Sequence, residues 1–343
     1  MVTLADVARH AGVSQSTVSY VLSGKRTISA STRKRVQRSI RTLGYRPHAG
    51  ARALASRRTS VLALVMPLRP DLYTPAGMEF VISVVTAARR HAHDVLVLTN
   101  DEGPEGLRRV AGSALVDGLV LMDVQLRDER IPVLRELELP AVLIGVPEDT
   151  TGLTCVDLDF TAAGARCVDH LADLGHRRIA FVGFGDDVYR RGSGFAIRAR
   201  AGVTSQAAAR GVDCEEITSA ATRDRVDALV ERLVLAGSPV TGMIVHNEAV
   251  LPMMLDALRA AGRRVPDDVS VIAIAPDDIA EMPSPAVSAV DLPAEAMGER
   301  AVELLMSKLG GRPELSTTLL APRLVERASS GPVSPAALAH ASI

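Results

Sequence analysis

Residues 3–22 read TLADVARHAGVSQSTVSYVL, and their spacing predicts two short helices joined by a turn. Spacings of three and four residues place side chains on one helical face, and the apolar residues here follow them. Gly12 accepts a positive φ angle at the turn, and Ser14 can cap the second helix. The outward face of that helix carries Gln15, Ser16, Ser19 and Tyr20. These side chains suit the reading of base edges in a DNA major groove, although any αα-hairpin needs a small residue and a glycine turn.

The charge of the chain is divided unevenly between its beginning and the rest. The 343 residues carry a net charge of −1, yet residues 1–60 contain 12 Lys or Arg and one acid, Asp6. The remaining residues contain 27 basic and 39 acidic side chains. A basic segment of this kind neutralises phosphates, whereas an ordinary solvated surface mixes both signs. The distribution therefore predicts that the N-terminal segment binds nucleic acid.

A third helix and a short alanine-rich segment follow. Residues 32–45, TRKRVQRSIRTLGY, have helical spacing, with Ser31 or Thr32 as the cap and Gly44 at the end. Residues 48–58, HAGARALASRR, are too few to form a stable helix alone in water. We expect this segment to be helical only where it is supported, and the alternative is a plain tether.

From Ser60 onward, short apolar segments alternate with helical ones. Strands are predicted over residues 61–67, 94–101, 118–123, 141–146, 178–184, 242–248 and 270–276. Helices are predicted over residues 76–92, 104–115, 128–137, 161–174, 195–210, 222–236 and 249–261. Strands without polar alternation, each followed by a helix, form parallel sheets covered on both faces. Because seven such units exceed one sheet of usual size, we predict an α/β fold with two parallel sheets.

Ligands of open parallel sheets bind beyond the carboxyl ends of the strands. The candidate residues at these positions are Leu72, Tyr73, Asp123, Asp186, Asp187, Asn247, Glu248, Asp277 and Asp278.

Composition and motifs argue against several classes of protein. No window approaches 18 consecutive apolar residues and no leader pattern is present, so we expect a cytoplasmic protein. The three cysteines lack metal-ligand spacing, and no complete nucleotide-binding or hydrolase motif occurs. Asp157 and Asp159 share a face if their segment is extended, and we interpret them as a solvated edge. We predict no metal, no cofactor and no enzymatic activity; the alternative is an enzyme or a solute-binding protein with an added DNA-binding segment.

Several stretches of the chain together carry a family resemblance. They are VTLADVARHAGVSQSTVSYVLSG (2–24), TRKRVQRSIRTLGYRP (32–47), LADLGHRRIAFVG (171–183), AGRRVPDDVSVIAI (261–274) and LLAPRLVERAS (319–329). With these stretches the chain resembles the LacI/GalR family of transcription repressors. The resemblance implies an N-terminal three-helix helix-turn-helix domain and a hinge helix. An effector domain of two subdomains would follow, similar to a type I periplasmic binding protein with parallel sheets.

The resemblance also implies domain boundaries. They are residues 1–46 for the helix-turn-helix domain, 47–59 for the hinge helix or linker, 60–329 for effector binding and dimerisation, and 330–343 for a disordered tail. Within the effector domain, the implied subdomains are residues 60–160 with 288–318, and residues 161–287 with 319–329.

Matching positions take their expected roles from the family pattern. The residues that would read bases are Gln15, Ser16 and Tyr20. The residues that would position phosphates are Thr3, Ser14, Thr17, Ser19, Ser29 and Thr32. The hinge residues in the minor groove would be His48, Ala51, Arg52 and Leu54, with Leu54 as an apolar wedge between base steps. The effector would contact Tyr73, Asp123, Arg198, Asn247 and Asp277. This chain departs from the pattern at Tyr20, where arginine is frequent, and at Glu248, where an aspartate is usual.

The expected function is that of a homodimeric repressor. It would bind double-stranded DNA at a pseudo-palindromic operator, and a small polar effector, a sugar or sugar derivative, would control its affinity. The operator sequence, the effector's identity and the direction of its effect stay open.

Overall fold

The computed structural model describes residues 2–23, 26–45, 58–69, 71–235 and 240–334. The expected hinge residues His48, Ala51, Arg52 and Leu54 lie outside these ranges. Within them, no helix is long and apolar enough to cross a membrane.

Three helices form the N-terminal domain: α1 Leu4–Ala11, α2 Gln15–Ser23 and α3 Ala30–Leu43. Thr3 starts α1 with a capping box, in which its side chain accepts from the Asp6 amide and Asp6 accepts from the Thr3 backbone. Gly12 ends α1 at a φ angle of 62°, a conformation that favours glycine. The three helices pack around a small core that includes Val7, Val18 and Val36.

The cap of α3 differs from the predicted one. Ser29 occupies this position, and its hydroxyl accepts a hydrogen bond from the Thr32 amide at 3.3 Å. The prediction of Ser31 or Thr32 was wrong because the helix begins earlier, at Ala30.

The rest of the chain forms two six-stranded sheets with helices on their faces, which confirms the predicted α/β fold. The first sheet has the order β11-β5-β4-β3-β1-β2, with strands β1 Val61–Val65, β2 Asp94–Leu98, β3 Gly118–Leu121, β4 Ala141–Ile144, β5 Cys155–Leu158 and β11 Thr317–Leu320. The second has the order β12-β10-β9-β8-β6-β7, with strands β6 Arg178–Gly183, β7 Asp213–Thr218, β8 Gly242–Val245, β9 Ser270–Ala275, β10 Ser288–Asp291 and β12 Leu324–Val325. All neighbours are parallel except β10 and β12.

The helices of this part are α4 Thr74–Arg90, α5 Gly103–Gly112, α6 Arg130–Glu136, α7 Phe160–Asp173, α8 Asp186–Arg191, α9 Gly194–Arg210, α10 Arg223–Val230, α11 Leu251–Ala260, α12 Asp277–Glu281 and α13 Ala294–Leu309. A π-helical turn, Glu231–Leu235, follows α10. One hydrophobic core runs from Leu62 and Leu64 in the first sheet to Phe181 and Ile272 in the second. The two halves of this part are therefore packed together through apolar side chains.

The division into subdomains was wrong at the C-terminal side. Strand β10 pairs with β9 in the second sheet, whereas the prediction gave residues 288–318 to the first subdomain. Strand β11 pairs with β5 in the first sheet, and the chain returns to the second only at β12. Helix α13 does pack on α4 and β4 of the first half, so the chain crosses between halves after β5, β10 and β11.

The predicted tail begins too early at residue 330. The Ser330 hydroxyl lies 2.7 Å from the Ser288 hydroxyl, and the Val333 amide donates to the Leu174 carbonyl at 2.9 Å. Residues 330–334 therefore belong to the fold of the second half, because they hydrogen-bond to its strands and helices.

Candidate functional site

Helix α2 presents a polar face to solvent. Gln15, Ser16 and Tyr20 are exposed, while Val18 on the opposite side is fully buried. The Arg26 guanidinium lies over the Tyr20 ring, with its central carbon 5.8 Å from the ring centroid. The face predicted to read bases is thus available, and a cation stands beside it.

Hydroxyl groups cluster where the three helices begin. Thr3 and Ser29 cap α1 and α3, and Ser14 accepts from the Thr17 amide at the start of α2. The first turns of helices carry partial positive charge, which favours phosphate oxygens. Among the other expected phosphate contacts, Thr17, Ser19 and Thr32 are half-buried. The basic residues of α3 are all exposed: Arg33, Lys34, Arg35, Arg38 and Arg41.

Asp117 fixes the chain at the entrance to the first sheet. Its carboxylate accepts from the Thr59 amide at 2.6 Å and from the Ser60 amide at 2.8 Å. The Thr59 hydroxyl donates to the same carboxylate at 2.9 Å. These contacts attach the segment that follows the expected hinge to the residue directly before β3.

A cavity lies between the two halves, beyond the carboxyl ends of the strands. Its volume is about 160 Å³, and it is partly open to solvent. Met66, Asp123 and Gly145 follow strands of the first sheet, while Phe184 and His246 follow strands of the second. Both sheets therefore contribute to a single candidate site for a small ligand.

The loop that carries Asp123 is held in a strained conformation. Asp123 has a φ angle of 53°, which is rare outside glycine, and Arg130 holds its carbonyl with a 2.7 Å hydrogen bond. One carboxylate oxygen of Asp123 accepts from Arg69 Nε at 2.6 Å. The other oxygen, Oδ1, is buried and has no partner among the described residues. Asp123 thus lines the cavity with one carboxylate oxygen that no described residue satisfies.

Three buried ionisable residues complete the polar part of the cavity lining. Burial raises the pKa of Asp157 to about 7, although the positive charge of Arg198 opposes this shift. Burial also raises the pKa of Glu248 to about 8 and lowers the pKa of His246 to about 3. Near neutral pH, His246 is therefore uncharged and Glu248 is largely protonated.

Contacts between the halves close one side of the cavity. Asp71 of the first half and Arg191 of α8 form an ion pair at 2.8 Å. Gln125 and Ser193 form an antiparallel bridge, and the Gly194 amide donates to the Val124 carbonyl at 3.1 Å. A ligand in the cavity would consequently touch groups whose positions depend on how the halves are arranged.

The structure places the five predicted effector residues differently. Tyr73 and Asp123 line the cavity. Asn247 is buried just outside the lining, and its amide donates to the Ser219 carbonyl at 3.0 Å. Asp277 lies outside the lining, and its carboxylate pairs with Arg327. Arg198 also lies outside the lining, and its Nη1 is buried without a partner among the described residues.

Several lining residues were missed from the sequence. Asp157 was interpreted as part of a solvated edge, but it is buried in β5 between two neighbouring strands. Phe160, Phe184, Phe195 and His246 form a ring cluster, with centroid distances from 5.0 to 5.8 Å between contacting pairs. The available signal was the position of Phe184 and His246 near the carboxyl ends of the predicted strands 178–184 and 242–248. In the described part of the chain, no group of His, Cys, Asp and Glu has the arrangement of a metal site.

Two family profiles match parts of the chain. Bacterial regulatory proteins of the lacI family match residues 3–48, and the periplasmic binding protein-like domain matches residues 168–330. The HTH-type transcriptional regulator CelR of Thermobifida fusca is 31% identical over 322 residues, covering 90% of this chain and 92% of that protein. Catabolite control protein A of Priestia megaterium is 27% identical over 329 residues, covering 95% of this chain and 98% of that protein.

Two solved structures are similar to this chain over almost its whole length. The transcriptional regulator CelR in complex with cellobiose matches with a TM-score of 0.65 and 28% identity, over 96% of this chain and all of that one. The Lac repressor dimer bound to operator and the anti-inducer ONPF matches with a TM-score of 0.83 and 24% identity, over 96% and 99% of the chains. At that identity, the likeness to Lac repressor shows the fold.

Proposed function

The chain belongs to the lacI family of bacterial regulatory proteins, and from this premise we propose how it regulates transcription. Membership makes it a DNA-binding transcriptional regulator and not an enzyme. We propose that it is a repressor whose operator affinity is controlled by a sugar or sugar derivative in the cavity between its halves. Because it acts on the chromosome, we place it in the cytoplasm.

The exposed polar face of α2, on a domain with a strong excess of positive charge, is the observation that carries the proposal. Gln15, Ser16 and Tyr20 would contact base edges, as their exposure allows. Thr3, Ser14 and Ser29 stand at helix starts, where backbone amides favour phosphate. The half-buried hydroxyls Thr17, Ser19 and Thr32 would complete the phosphate contacts.

The expected hinge would connect DNA binding to the state of the cavity. His48, Ala51, Arg52 and Leu54 would enter the minor groove, with Leu54 inserted between two base pairs. The Asp117 contacts join the chain after this segment to the first sheet, so a change in the arrangement of the halves would reach it. Couplings of this kind are typically ~1–3 kcal/mol, or about 5–150-fold in operator affinity.

The relative crystallised with cellobiose supports a sugar as the effector. Tyr73 and Asp123 would contact it directly, while Arg198, Asn247 and Asp277 would do so only after rearrangement. The Lac repressor dimer supports a homodimer here. A two-fold dimer binds two half-sites, which explains why we expect a pseudo-palindromic operator.

Selection of bound sequences from random double-stranded DNA, with and without a panel of sugars, tests this function. We expect a pseudo-palindromic sequence whose enrichment changes with one sugar. Affinity for it should fall steeply with salt, because each neutralised phosphate adds about −0.9 to the slope of log K against log salt. A fragment of residues 60–343 should stay dimeric and bind the sugar but not DNA. Operator binding by that fragment would contradict the proposal.

A further inference from the structure

The charged groups that line the cavity are mostly acidic. Asp123, Asp157 and Glu248 are the acids, while Arg69 is the one Lys or Arg among the described lining residues. Arg69 is already shared between Asp123, at 2.6 Å, and Asp101, at 2.8 Å. The lining thus has more carboxyl groups than cationic groups, and a ligand rich in hydrogen-bond donors complements it.

Glu248 is the lining acid with the fewest contacts that could stabilise a negative charge. It is only 7% exposed, and in the described part of the chain no ion pair or hydrogen bond joins its carboxyl to another side chain. Asp157, by contrast, accepts hydrogen bonds from the amides of Leu158 and Val146, and the positive charge of Arg198 stabilises its ionised form. An isolated buried carboxylate is unfavourable, which makes Glu248 the position where a ligand cation would be stabilised most.

Another part of the lining is apolar and aromatic. Phe160, Phe184 and Phe195 contribute rings, and the Nδ1 atom of His246, a residue only 2% exposed, is buried without a partner among the described residues. Ring faces of this kind stack on the C–H faces of a saturated ring and also attract cations. A hydroxylated ring would therefore satisfy the acceptors and the aromatic wall together.

We propose that the effector is an amino sugar whose protonated amino group pairs with Glu248. This inference rests on the proposed function, since it names the chemical class of the sugar that the same cavity takes. The hydroxyl groups of the ring donate to acceptors such as Asp123 Oδ1, and one ring face lies against the phenylalanines. A neutral sugar of the same shape supplies the hydroxyls but offers no cation, so Glu248 keeps its proton and gains no ion pair.

Binding of the amino group changes the protonation of the site. Glu248 holds a proton in the free protein, because burial raises its pKa and the neighbouring acid Glu79 adds to the effect. Glu79 itself is hydrogen-bonded to Asp278 and lies near Asp291, and Asp157 is faced by Arg198 and Asp159. Once an ammonium group is beside it, Glu248 ionises and its proton passes to solvent. At about pH 6.5 the full-length protein should release about one proton for each amino sugar bound.

Isothermal titration with matched sugar pairs tests this proposal. The pairs are glucose with glucosamine, galactose with galactosamine, mannose with mannosamine, and cellobiose with its diamino counterpart, titrated in two buffers of different ionisation enthalpy. We expect one amino sugar to bind at least ~30-fold more tightly than its neutral partner, with proton release. Glu248→Gln should remove both effects, Glu248→Asp should retain a preference, and the exposed control Glu138→Gln should behave as wild type.

The outcomes separate the two proposals. If neutral sugars bind and alter operator affinity while the amino sugars gain nothing, the amino-sugar inference is wrong and the proposed function stands. A preference that survives in Glu248→Gln also overturns the inference. If no sugar of either kind binds or changes operator affinity, both the inference and the sugar-controlled function are wrong. Melting curves of each variant establish that it is folded.

Discussion

Single residues of the cavity make the stability of this protein dependent on pH. Glu248 has an ordinary pKa of 4.5 in the unfolded chain and about 8 in the fold, because burial disfavours its charge. Between these values the unfolded state releases a proton that the folded state keeps. The contribution of Glu248 to stability is therefore complete below about pH 4.5 and is lost as the pH rises through about 8.

Glu248→Gln removes this titration, so we expect the pH dependence of Tm to differ between the variant and wild type. Relative to the variant, the wild-type Tm should fall between about pH 5 and about pH 8.5, by roughly 2–4 °C for each kcal/mol lost. Asp157 titrates in both proteins, so the difference between them isolates Glu248. Scanning calorimetry across this range measures it, with Glu138→Gln as a control that should follow wild type. Parallel curves for wild type and Glu248→Gln would contradict the buried, protonated carboxyl.

Among single residues, the sequence predicted only some of those that line the cavity. Tyr73 and Asp123 were found because they follow apolar strands, and position after a strand is a local property. Asp157 was missed because its burial depends on β4 and β11 covering it from both sides, and β11 lies some 160 residues away. Asp277 lies outside the cavity lining and pairs with Arg327 of the C-terminal segment, a contact that no local pattern in the sequence reveals.

Among the secondary-structure elements, helices α7 and α9 show how backbone contact constrains the sequence. A Cβ atom at Gly202 would overlap the Thr161 carbonyl, and one at Gly164 would overlap the Ala199 carbonyl. Gly202→Ala should destabilise the protein by about 1–3 kcal/mol, since the helices must separate to admit a methyl group. The matched control is Gly112→Ala in α5, where nothing lies within 4 Å of the added carbon. It should be neutral or stabilising by up to ~1 kcal/mol, and urea unfolding compares the two. Equal effects would show that the helix contact is not as close as described.

Some secondary-structure elements are easier to predict from the sequence than others. Buried strands such as β1 and β9 are continuous apolar runs, and each was predicted to within two residues at its ends. Strand β7 reads DCEEIT and was missed, because an edge strand exposes one side and carries charges there. Strand β5 was missed because Asp157 interrupts a run of only four residues.

At the scale of the whole molecule, the C-terminal segment holds the second half together. The Ser329 hydroxyl donates to the Val271 carbonyl at 2.6 Å and accepts from the Ser288 amide at 2.8 Å. A chain ending at Ala328 should lose about 2–4 kcal/mol of stability, because it loses these buried hydrogen bonds and those of residues 330–333. A chain ending at Ser334 keeps all of them and should melt as the full-length protein does. Equal Tm values for the two truncations would contradict this role.

The membership of each strand in a sheet is also a property of the whole molecule. The family resemblance gave residues 288–318 to the first subdomain, and no local pattern tells which sheet a strand in this range joins. The structure assigns β10 to the second sheet and β11 to the first, although they are separated by α13 alone. The alternation of apolar strands with helices predicted two sheets. Which strand joins which sheet depends on pairing between residues that are far apart in the sequence.

The strands that complete both sheets are β11 and β12, and their late position in the chain bears on how the protein is synthesised. A ribosome delivers a chain from its N-terminus at about 5–20 residues per second, so the DNA-binding helices emerge long before residues 317–325. Until those last residues leave the ribosome, each sheet lacks an edge strand. A product of interrupted translation would therefore possess helices for DNA without a finished cavity to govern them. Regulation by an effector in the cavity thus requires that residues 317–325 have been synthesised and have joined the two sheets.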